Sequence, residues 1–401
     1  MIRVALFTPE YPPHIYGGLG THVAYLTDTQ ADAVEFEIFL PERGNYQVPH
    51  PGIHLHEVRV LDAETNLQFW LRYCQAAAQA ARQLQLTIDL IHCHDWMTVL
   101  AGLNVQKRLN LPLVYNTHLP QASPPTLQLE NSGLAHANLV LVNSLAVRQE
   151  LAEREIPVNR IRVVPNGVDL STFHPPTQER SPEDKTILFA GRLVPQKGVE
   201  VLLKAFGVAL GRIPDLRLVI AGDGDLELHL KRLTYHLGFP HRVSFVGWQT
   251  GQALVEQYQK ASLVVMPSYY EPFGIVALEA MACGCPVLAS RVGGLEEIIQ
   301  DGLQGYLVPA GDYLLLAQRI VDMFLHPDRR LQMGRAAYQH AQQYAWQLIG
   351  ETLLGLYNSL LGSQAAFPPV GAKEIQQDLL DNLDPDLRAI ASDLLSEKKD
   401  I

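Results

Sequence analysis

The sequence predicts an α/β protein with two doubly wound domains. Short runs rich in Val, Ile and Leu alternate with longer amphipathic segments through both halves, which is the pattern of parallel strands joined by crossover helices. The chain of 401 residues is too long for one ordinary core and suits two domains of roughly 150 to 200 residues. A proline-rich polar stretch at 173–182 separates the two series of strands and favours a linker there.

The apolar runs give the positions of the strands. In the first half we predict strands near 2–8, 35–40, 53–60, 89–94, 111–117, 138–143 and 161–164. In the second half they fall near 186–191, 216–221, 243–246, 262–266, 286–289 and 305–308. We therefore expect an N-terminal domain at 1–175 and a C-terminal domain at 176–345.

Composition narrows the class of protein. With 47% hydrophobic and 18% charged residues the chain is typical of a globular protein. Its formal charge of −11 argues against a general affinity for nucleic acid or anionic lipid. The sequence has no signal-peptide pattern and no apolar run of about eighteen residues, so we expect no integral membrane segment and a cytoplasmic location. The four cysteines, Cys74, Cys93, Cys283 and Cys285, are predicted to be buried free thiols, since they form neither a disulfide framework nor a zinc quartet.

The segment 271–279 sets two carboxylates eight positions apart at the entrance of an apolar helix. We expect Glu271 to meet water and ligand at a loop tip, and Glu279 to be buried with a hydrogen-bonding partner. Pro272 suits a first helical position, so the free N–H groups of the next turn would seat a phosphate rather than a metal.

Two cations follow the strand near 186–191. Arg192 and Lys197 lie five residues apart in one predicted strand-to-helix turn. A guanidinium and an ammonium beside a helix N-terminus suit a diphosphate. Surface exposure without function is the alternative for both side chains.

These two segments, with the spacing between them, resemble the nucleotide-sugar half of the retaining glycosyltransferases of family 4 and the glycogen synthase group, which have the GT-B fold. The resemblance covers about residues 1–360. It implies two Rossmann-like domains facing a central cleft, a helix at 346–362 that crosses back to the first domain, and an acidic tail at 363–401 without an assigned role. We expect one helical segment over about 328–362.

The resemblance also implies roles for residues of the second half. Arg192 and Lys197 would hold the donor diphosphate, so that no divalent metal is needed. Phe273 and Gly274 would contribute to substrate binding, and Glu279 would bind the ribose hydroxyls of the nucleotide. Glu271 would approach the donor sugar, either as a nucleophile or as a stabiliser of an oxocarbenium-like state.

In the first half, Gly17, Gly18 and Gly20 follow the first strand. Glycine permits positive φ and leaves no side chain in the way, so this loop would bind a diphosphate or a sugar ring; a tight turn is the alternative. The resemblance favours binding. His118 matches a histidine that contacts the donor sugar, and a strand-end histidine with a structural role is its alternative.

The segment 91–96 carries His92, His94 and Asp95. Alternation in a strand places the two histidines on one face, where a metal must be considered. No third ligand lies at metal-like spacing, so we predict no metal site and a structural role for His92. Asp95 matches an aspartate of the family that acts in acceptor binding or cleft polarity.

Two short motifs have simpler interpretations. Asp223-Gly224-Asp225 follows an apolar strand and is predicted to be a turn rather than a metal-binding pair. Cys283-Gly284-Cys285-Pro286 is predicted to end a helix, with Gly284 as a left-handed cap.

The resemblance implies transfer of a hexose, with glucose favoured, from ADP-glucose, UDP-glucose or GDP-mannose to a hydroxyl acceptor, with the α-configuration kept and no cofactor. An α-glucan, a small molecule and a lipid-linked or exopolysaccharide acceptor all stay open, as does oligomeric state. A nucleotide-sugar 2-epimerase of the same fold and a noncatalytic nucleotide-sugar sensor are the alternatives.

Overall fold

The chain divides into two compact units. The computed structural model describes residues 1–84, 87–154, 156–178, 180–362, 377, 379–380, 383 and 385–395. One unit consists of Met1–Pro165 together with Trp346–Ile401, and the other of Asn166–Ala345.

The first unit contains a seven-stranded parallel sheet with strand order β3-β2-β1-β4-β5-β6-β7. Its strands are β1 Ile2–Phe7, β2 Val34–Pro41, β3 Ile53–Val58, β4 Leu90–His94, β5 Leu113–Thr117, β6 Leu139–Val142 and β7 Ile161–Val163. The α-helices described in its N-terminal part are α1 Gly18–Gln30, α2 Asn66–Gln83, α3 Val99–Leu109, α4 Thr126–His136 and α5 Leu145–Glu153.

The second unit repeats this plan with a six-stranded parallel sheet of order β10-β9-β8-β11-β12-β13. Its strands are β8 Thr186–Ala190, β9 Arg217–Ala221, β10 Val243–Gly247, β11 Leu263–Met266, β12 Val287–Ser290 and β13 Gly305–Val308. Its α-helices are α6 Val199–Leu210, α7 Glu227–His236, α8 Gly251–Lys260, α9 Ile275–Ala282, α10 Leu295–Ile298, α11 Tyr313–Leu325 and α12 Pro327–Ala341.

The predicted fold class and strands are confirmed, and each strand begins and ends within two residues of its prediction. The apolar runs are continuous because both faces of each sheet are covered. In β1, Ala5 and Phe7 join one buried cluster and Val4 and Leu6 join another. A central parallel strand therefore needs apolar residues at successive positions.

The helical segment predicted over about 328–362 is divided into two helices in the structure. Helix α12 is followed by a short 3₁₀ turn, and helix α13 spans Trp346–Gly362. Between them Ala345 adopts φ −58° and ψ 135°, and the main-chain N–H of Val168 donates to the carbonyl of Tyr344 at 2.8 Å. This contact replaces a helical hydrogen bond with one from a distant segment. Helix α13 then packs on α1 in the first unit.

Part of the predicted acidic tail lies outside the described residues, including all of 363–376. The described part contains helix α14, Pro385–Leu395, which packs against α2 and α3. Side chains of α3 bind the last carbonyls of α14. Asn104 donates to the carbonyl of Leu394 and Lys107 to that of Leu395, each at 2.8 Å.

The simpler interpretations of the short motifs are confirmed. Gly284 has φ +70° beyond the end of α9, and residues 223–226 form a turn with Gly224 at φ +152°. All four cysteines are buried free thiols. Burial raises the pKa of Cys74 and Cys283 to about 12 and of Cys285 to about 11, so these thiols stay protonated at neutral pH.

Within the described ranges, none of the helices combines the length and apolar composition that crossing a bilayer requires.

Candidate functional site

Most of the predicted site residues lie in loops that follow the carboxyl ends of strands, near the point where each strand order reverses. In the second unit this point lies between β8 and β11. The loop after β8 carries Arg192 and Lys197, and the loop after β11 carries Glu271. Ligands of open α/β sheets bind at this position.

The two loops are fixed against each other by main-chain contacts. The N–H of Tyr269 donates to the carbonyl of Gln196 at 2.9 Å. Gly198 has φ +64°, and a Cβ there would lie 2.1 Å from the carbonyl oxygen of Pro267. Only glycine permits this approach, which holds Lys197 close to the second loop.

Lys197 and Glu271 form an ion pair. The Nζ of Lys197 lies 2.6 Å from Oε2 of Glu271, and the hydroxyl of Ser268 lies 3.4 Å from the same oxygen. Glu271 is only 8% exposed, whereas Glu279 is partly buried. The prediction that Glu271 meets water at a loop tip is therefore wrong, whereas Glu279 has a hydrogen-bonding partner as predicted. An unpaired carboxylate is costly to bury, and Lys197 provides the partner that Glu271 needs. The sequence does not indicate this ion pair.

Helix α9 begins beside this pair. Its first helical residue is Ile275 and its N-cap is Gly274, which has φ +111° and offers no side chain to cap the helix. Pro272 precedes the N-cap, so its prediction as a first helical residue is wrong. The uncapped first turn still presents N–H groups suited to an anion. The side chain of Phe273 is buried, which leaves its main chain as the part able to face a ligand.

Arg192 differs from Lys197 in its surroundings. Its side chain is exposed, and no hydrogen bond or ion pair joins it to another residue in the part of the chain that the structure describes. A guanidinium in this state can bind a ligand anion without first breaking a contact within the protein.

Glu279 has an internal partner. The phenol of Tyr258, on α8, donates to Oε2 of Glu279 at 2.7 Å. Burial raises the pKa of Glu279 to about 7, and the hydrogen bond from Tyr258 opposes this rise. Burial also raises the pKa of Tyr258 well above its ordinary value, so the phenol stays a donor. Sequence reasoning missed Tyr258 because it lies on a separate helix without a motif.

Gly293 supports the main chain of Glu271. It has φ +51°, and a Cβ there would lie 2.1 Å from the carbonyl oxygen of Glu271. The substitution Gly293→Ala is expected to destabilise the protein by about 2–4 kcal/mol, since strain and a main-chain clash add. Urea unfolding would measure this change. The control Gly302→Ala has φ +83° and open space around its Cβ, so it should cost only about 1–2 kcal/mol. Equal losses in both variants would contradict the clash.

In the first unit the glycine loop begins a helix. Helix α1 starts at Gly18, with Gly17 as an extended N-cap at φ −178°, and Gly17, Gly18 and Gly20 are not among the residues with positive φ. The predicted use of positive φ is therefore wrong. The carboxylate of Glu10 accepts hydrogen bonds from the N–H groups of Tyr16 at 3.0 Å and Gly20 at 3.3 Å.

This carboxylate explains the need for glycine at position 20, where a Cβ would lie 2.7 Å from Oε2 of Glu10. The N-terminus of α1 already holds an anion. A diphosphate would be repelled there, whereas a sugar hydroxyl would not. Sequence reasoning missed Glu10, which precedes the loop without a recognisable motif.

Asp95 and His118 lie at the ends of the neighbouring strands β4 and β5. Asp95 has φ +59°, and its Oδ1 accepts a hydrogen bond from the main-chain N–H of His118 at 2.6 Å. Both side chains are buried, at 6% and 8% exposure. Strained backbone of this kind is concentrated at functional sites. Burial raises the pKa of Asp95 to about 8, so at neutral pH its carboxyl can donate a hydrogen bond.

The pKa of Asp95 predicts a pH dependence of stability. The pKa of Asp95 is about 8 in the folded protein and 3.8 ordinarily, so proton binding to Asp95 stabilises the folded state. This contribution to the free energy of unfolding is fully present below about pH 4 and is lost as pH rises to about 8. Asp95→Asn resembles the protonated form. Its melting temperature relative to the wild type is therefore expected to rise across this range and to level off above it. A constant difference between the two proteins would rule out the raised pKa.

Three further histidines surround His118. Nδ1 of His94 lies 3.1 Å from Nε2 of His118, and the His22 ring on α1 lies 4.7 Å from the His118 ring, between centroids. His92 and His94 share one face of β4 as predicted, with ring centroids 4.3 Å apart. His92 is held within the fold by Tyr357, whose hydroxyl lies 2.6 Å from its Nδ1.

One atom of each of His22, His94 and His118 lies within 4.8 Å of the others. The absence of a third ligand at suitable sequence spacing therefore fails as an argument against a metal. Sequence reasoning missed His22, whose position on α1 carries no motif.

Comparisons with known proteins bear on this arrangement. The model of the Glycosyltransferase Family 4 domain matches residues 16–172, and that of Glycosyl transferases group 1 matches residues 172–340. A D-inositol 3-phosphate glycosyltransferase of an Arthrobacter species is 34% identical over 380 residues, which cover 86% of this chain and 90% of the relative. The chain belongs to glycosyltransferase family 4. A glycosyltransferase of Methanocaldococcus jannaschii without an assigned activity is also 34% identical, over 77% of this chain and 85% of its own.

Solved structures agree on the fold of this family 4 glycosyltransferase. Sucrose-phosphate synthase from Thermosynechococcus elongatus has a TM-score of 0.79 at 24% identity, covering 90% of this chain and 99% of its own. The Anabaena protein HepE, solved with UDP-glucose, has a TM-score of 0.76 at 21% identity, covering 90% and 100%. The fold is GT-B, and the protein is a glycosyltransferase.

Proposed function

We propose that this family 4 glycosyltransferase is a retaining hexosyltransferase that moves glucose from a nucleoside diphosphate to a hydroxyl acceptor. The observation that carries the proposal is the Lys197–Glu271 ion pair of 2.6 Å at the uncapped N-terminus of α9. It combines a cation for a diphosphate with a carboxylate for the reacting sugar. Membership of family 4 supports the same reaction type.

The donor diphosphate binds to Arg192, Lys197 and the first turn of α9. Arg192 is free of protein partners within the described ranges, and the ammonium of Lys197 has three N–H donors, so it can contact both Glu271 and a phosphate oxygen. These positive groups stabilise the negative charge that develops on the departing nucleoside diphosphate. No divalent metal is required for this role.

Glu271 acts on the sugar. Its carboxylate is fixed by Lys197 and Ser268, so little reorganisation is needed when positive charge develops at the anomeric carbon. A carboxylate in this position either stabilises the oxocarbenium-like state or attacks the carbon. Both routes are consistent with retention.

The nucleotide is recognised through its ribose. Glu279 uses one oxygen for Tyr258, and its other oxygen has no hydrogen bond to a described residue. Two ribose hydroxyls are suitable donors for this oxygen. The contact selects for a nucleoside and leaves the base open among adenine, uracil and guanine.

In the first unit, His118, Asp95 and the glycine loop bind the transferred sugar or the acceptor. His118 is held by Asp95 through its main chain and by His94 through its ring. These contacts fix the orientation of the imidazole for hydrogen bonding to a hydroxyl. The carboxylate of Glu10 beside Gly20 favours a neutral hydroxyl over a phosphate.

For the acceptor we propose a small polyol or sugar phosphate. Support comes from several relatives between 30% and 34% identical that are named D-inositol 3-phosphate glycosyltransferases. An α-glucan and a lipid-linked saccharide are the competing acceptors. They are separated from a small acceptor by the mass of the product.

A donor and acceptor screen tests the proposal. The purified protein is incubated with ADP-glucose, UDP-glucose and GDP-mannose, each with D-inositol 3-phosphate, a sugar phosphate, maltose or a lipid acceptor. Mass spectrometry identifies the product, and proton NMR gives the configuration of the new bond. An α-linked hexoside supports the proposal, whereas a β-linked one contradicts retention. A changed free sugar formed without acceptor indicates the epimerase, and donor binding without turnover under every condition indicates the sensor.

A further inference from the structure

Three buried histidines from separate parts of the first unit meet at one point. His22 lies on α1, His94 ends β4, and His118 follows β5. They are 1%, 0% and 8% exposed, and one ring nitrogen from each lies within 4.8 Å of the others. We propose that His22, His94 and His118 form a binding site for a single first-row transition-metal ion, represented by Zn²⁺.

The distances suit such an ion. Nδ1 of His94 and Nε2 of His118 are 3.1 Å apart. Two imidazole nitrogens bound tetrahedrally to zinc at about 2.0–2.1 Å are separated by about 3.3 Å. The separation of these two nitrogens is therefore close to the one that a shared ion requires. The ligand nitrogen of His22 lies within 4.8 Å of both.

The hydrogen bond between His94 and His118 can give way to a metal, because a neutral imidazole carries one N–H and one lone pair. The hydrogen bond between them uses one lone pair and one proton. Metal binding moves this proton to the other nitrogen of the donor ring, so that the ion replaces the hydrogen bond. Nε2 of His94 has no hydrogen-bond partner in the described chain. The hydrogen bond with His118 is therefore the contact that fixes the tautomer of the His94 ring.

The ligand type selects the metal. Imidazole nitrogen favours Zn²⁺, Co²⁺, Ni²⁺ and Cu²⁺ over Mg²⁺ and Ca²⁺, which prefer oxygen. Three histidines leave a fourth coordination position for water or an anion. His118 is the least buried of the three ligands, at 8% exposure against 1% for His22 and 0% for His94, so the ion would enter from its side.

Metal binding has a consequence for the reaction, and this part rests on the proposed function. His118 is the proposed contact of the donor sugar, and the bond from His94 to its Nε2 orients the ring for that contact. An ion that replaces this bond would reorient the ring and disturb the sugar contact. Zn²⁺ is then expected to inhibit transfer with a rise in the KM for the donor. Metal binding itself does not depend on this role.

The test measures cobalt binding by the chelator-treated full chain in the absence of any nucleotide sugar. Titration with Co²⁺, followed by its visible absorption and by calorimetry, is expected to show one ion per chain with a Kd of about 1 μM or tighter. His94→Ala and His118→Ala should each weaken binding by more than the roughly 10–100-fold that loss of an outer partner costs. His92→Asn changes a neighbouring histidine outside the ligand set, and His54→Ala changes an exposed one; both should bind as the wild type does.

Melting temperatures show whether each variant is folded, and the wild-type titration is decisive even if one variant is not. A wild type without stoichiometric binding overturns the site, and so does binding that survives in both His94→Ala and His118→Ala. Inhibition by Zn²⁺ without one bound ion per chain also counts against it. One bound ion without competition against the donor leaves the metal site intact and removes the proposed sugar contact of His118.

Discussion

Replacing Glu271 by glutamine is expected to lower kcat for sugar transfer by about a thousandfold or more. The substitution keeps the size of the side chain and removes its charge. The negative charge held by Lys197 at 2.6 Å would no longer face the anomeric carbon as positive charge develops there. Donor binding should change little, because the proposed partners of the diphosphate are Arg192, Lys197 and the first turn of α9.

Steady-state kinetics and calorimetric titration with donor measure these two effects separately. Glu256→Gln is a matched control, since Glu256 also pairs with a lysine, Lys260, at 3.0 Å but on the surface. Its kcat should match that of the wild type. Near-normal kcat in Glu271→Gln would remove Glu271 from the mechanism, whereas equal losses of kcat and donor affinity would assign it to binding alone.

Removing either cation is expected to weaken binding of the nucleoside diphosphate by about 10–100-fold, because each charged hydrogen bond contributes about 1.5–3 kcal/mol. The two variants should differ in stability. Arg192→Ala breaks no hydrogen bond or ion pair with a described residue, so its free energy of unfolding should stay within about 0.5 kcal/mol of the wild type. Lys197→Ala leaves Glu271 without its partner and should cost about 1–3 kcal/mol.

Calorimetry with UDP, ADP and GDP gives the affinities, and urea unfolding without ligand gives the stabilities. Lys231→Ala is the control for net charge, since Lys231 pairs with Glu227 on the surface of the same unit. It should leave affinity for the nucleotide unchanged. Normal nucleotide affinity in Arg192→Ala and Lys197→Ala would place the diphosphate elsewhere.

These three variants are expected to separate the roles within one site. Glu271→Gln should affect the chemical step, and Arg192→Ala should affect binding of the nucleotide. Lys197→Ala should affect both, since Lys197 contacts Glu271 directly and carries one of the two charges proposed for the diphosphate. A smaller loss of kcat in Lys197→Ala than in Arg192→Ala would contradict this division.

The sequence by itself determined the fold class, the position of every described strand and the residue types at the strand ends. The reason is local: a parallel strand covered on both faces needs an unbroken apolar run, as in β1 with Val4, Ala5, Leu6 and Phe7. Turn residues act locally too, so the left-handed cap at Gly284 was predictable from its place after an apolar helix.

The tertiary structure alone decided which of these residues meet. The reversal of strand order between β8 and β11 brings Lys197 to Glu271, 74 positions away, and the packing of α1 beside β4 and β5 brings His22 to His94 and His118. It also decided that the helix predicted over 328–362 breaks at Ala345, where Val168 pairs with the chain. Such contacts depend on sheet order and on pairing between distant segments. Neither produces a local sequence pattern from which the contact could be predicted.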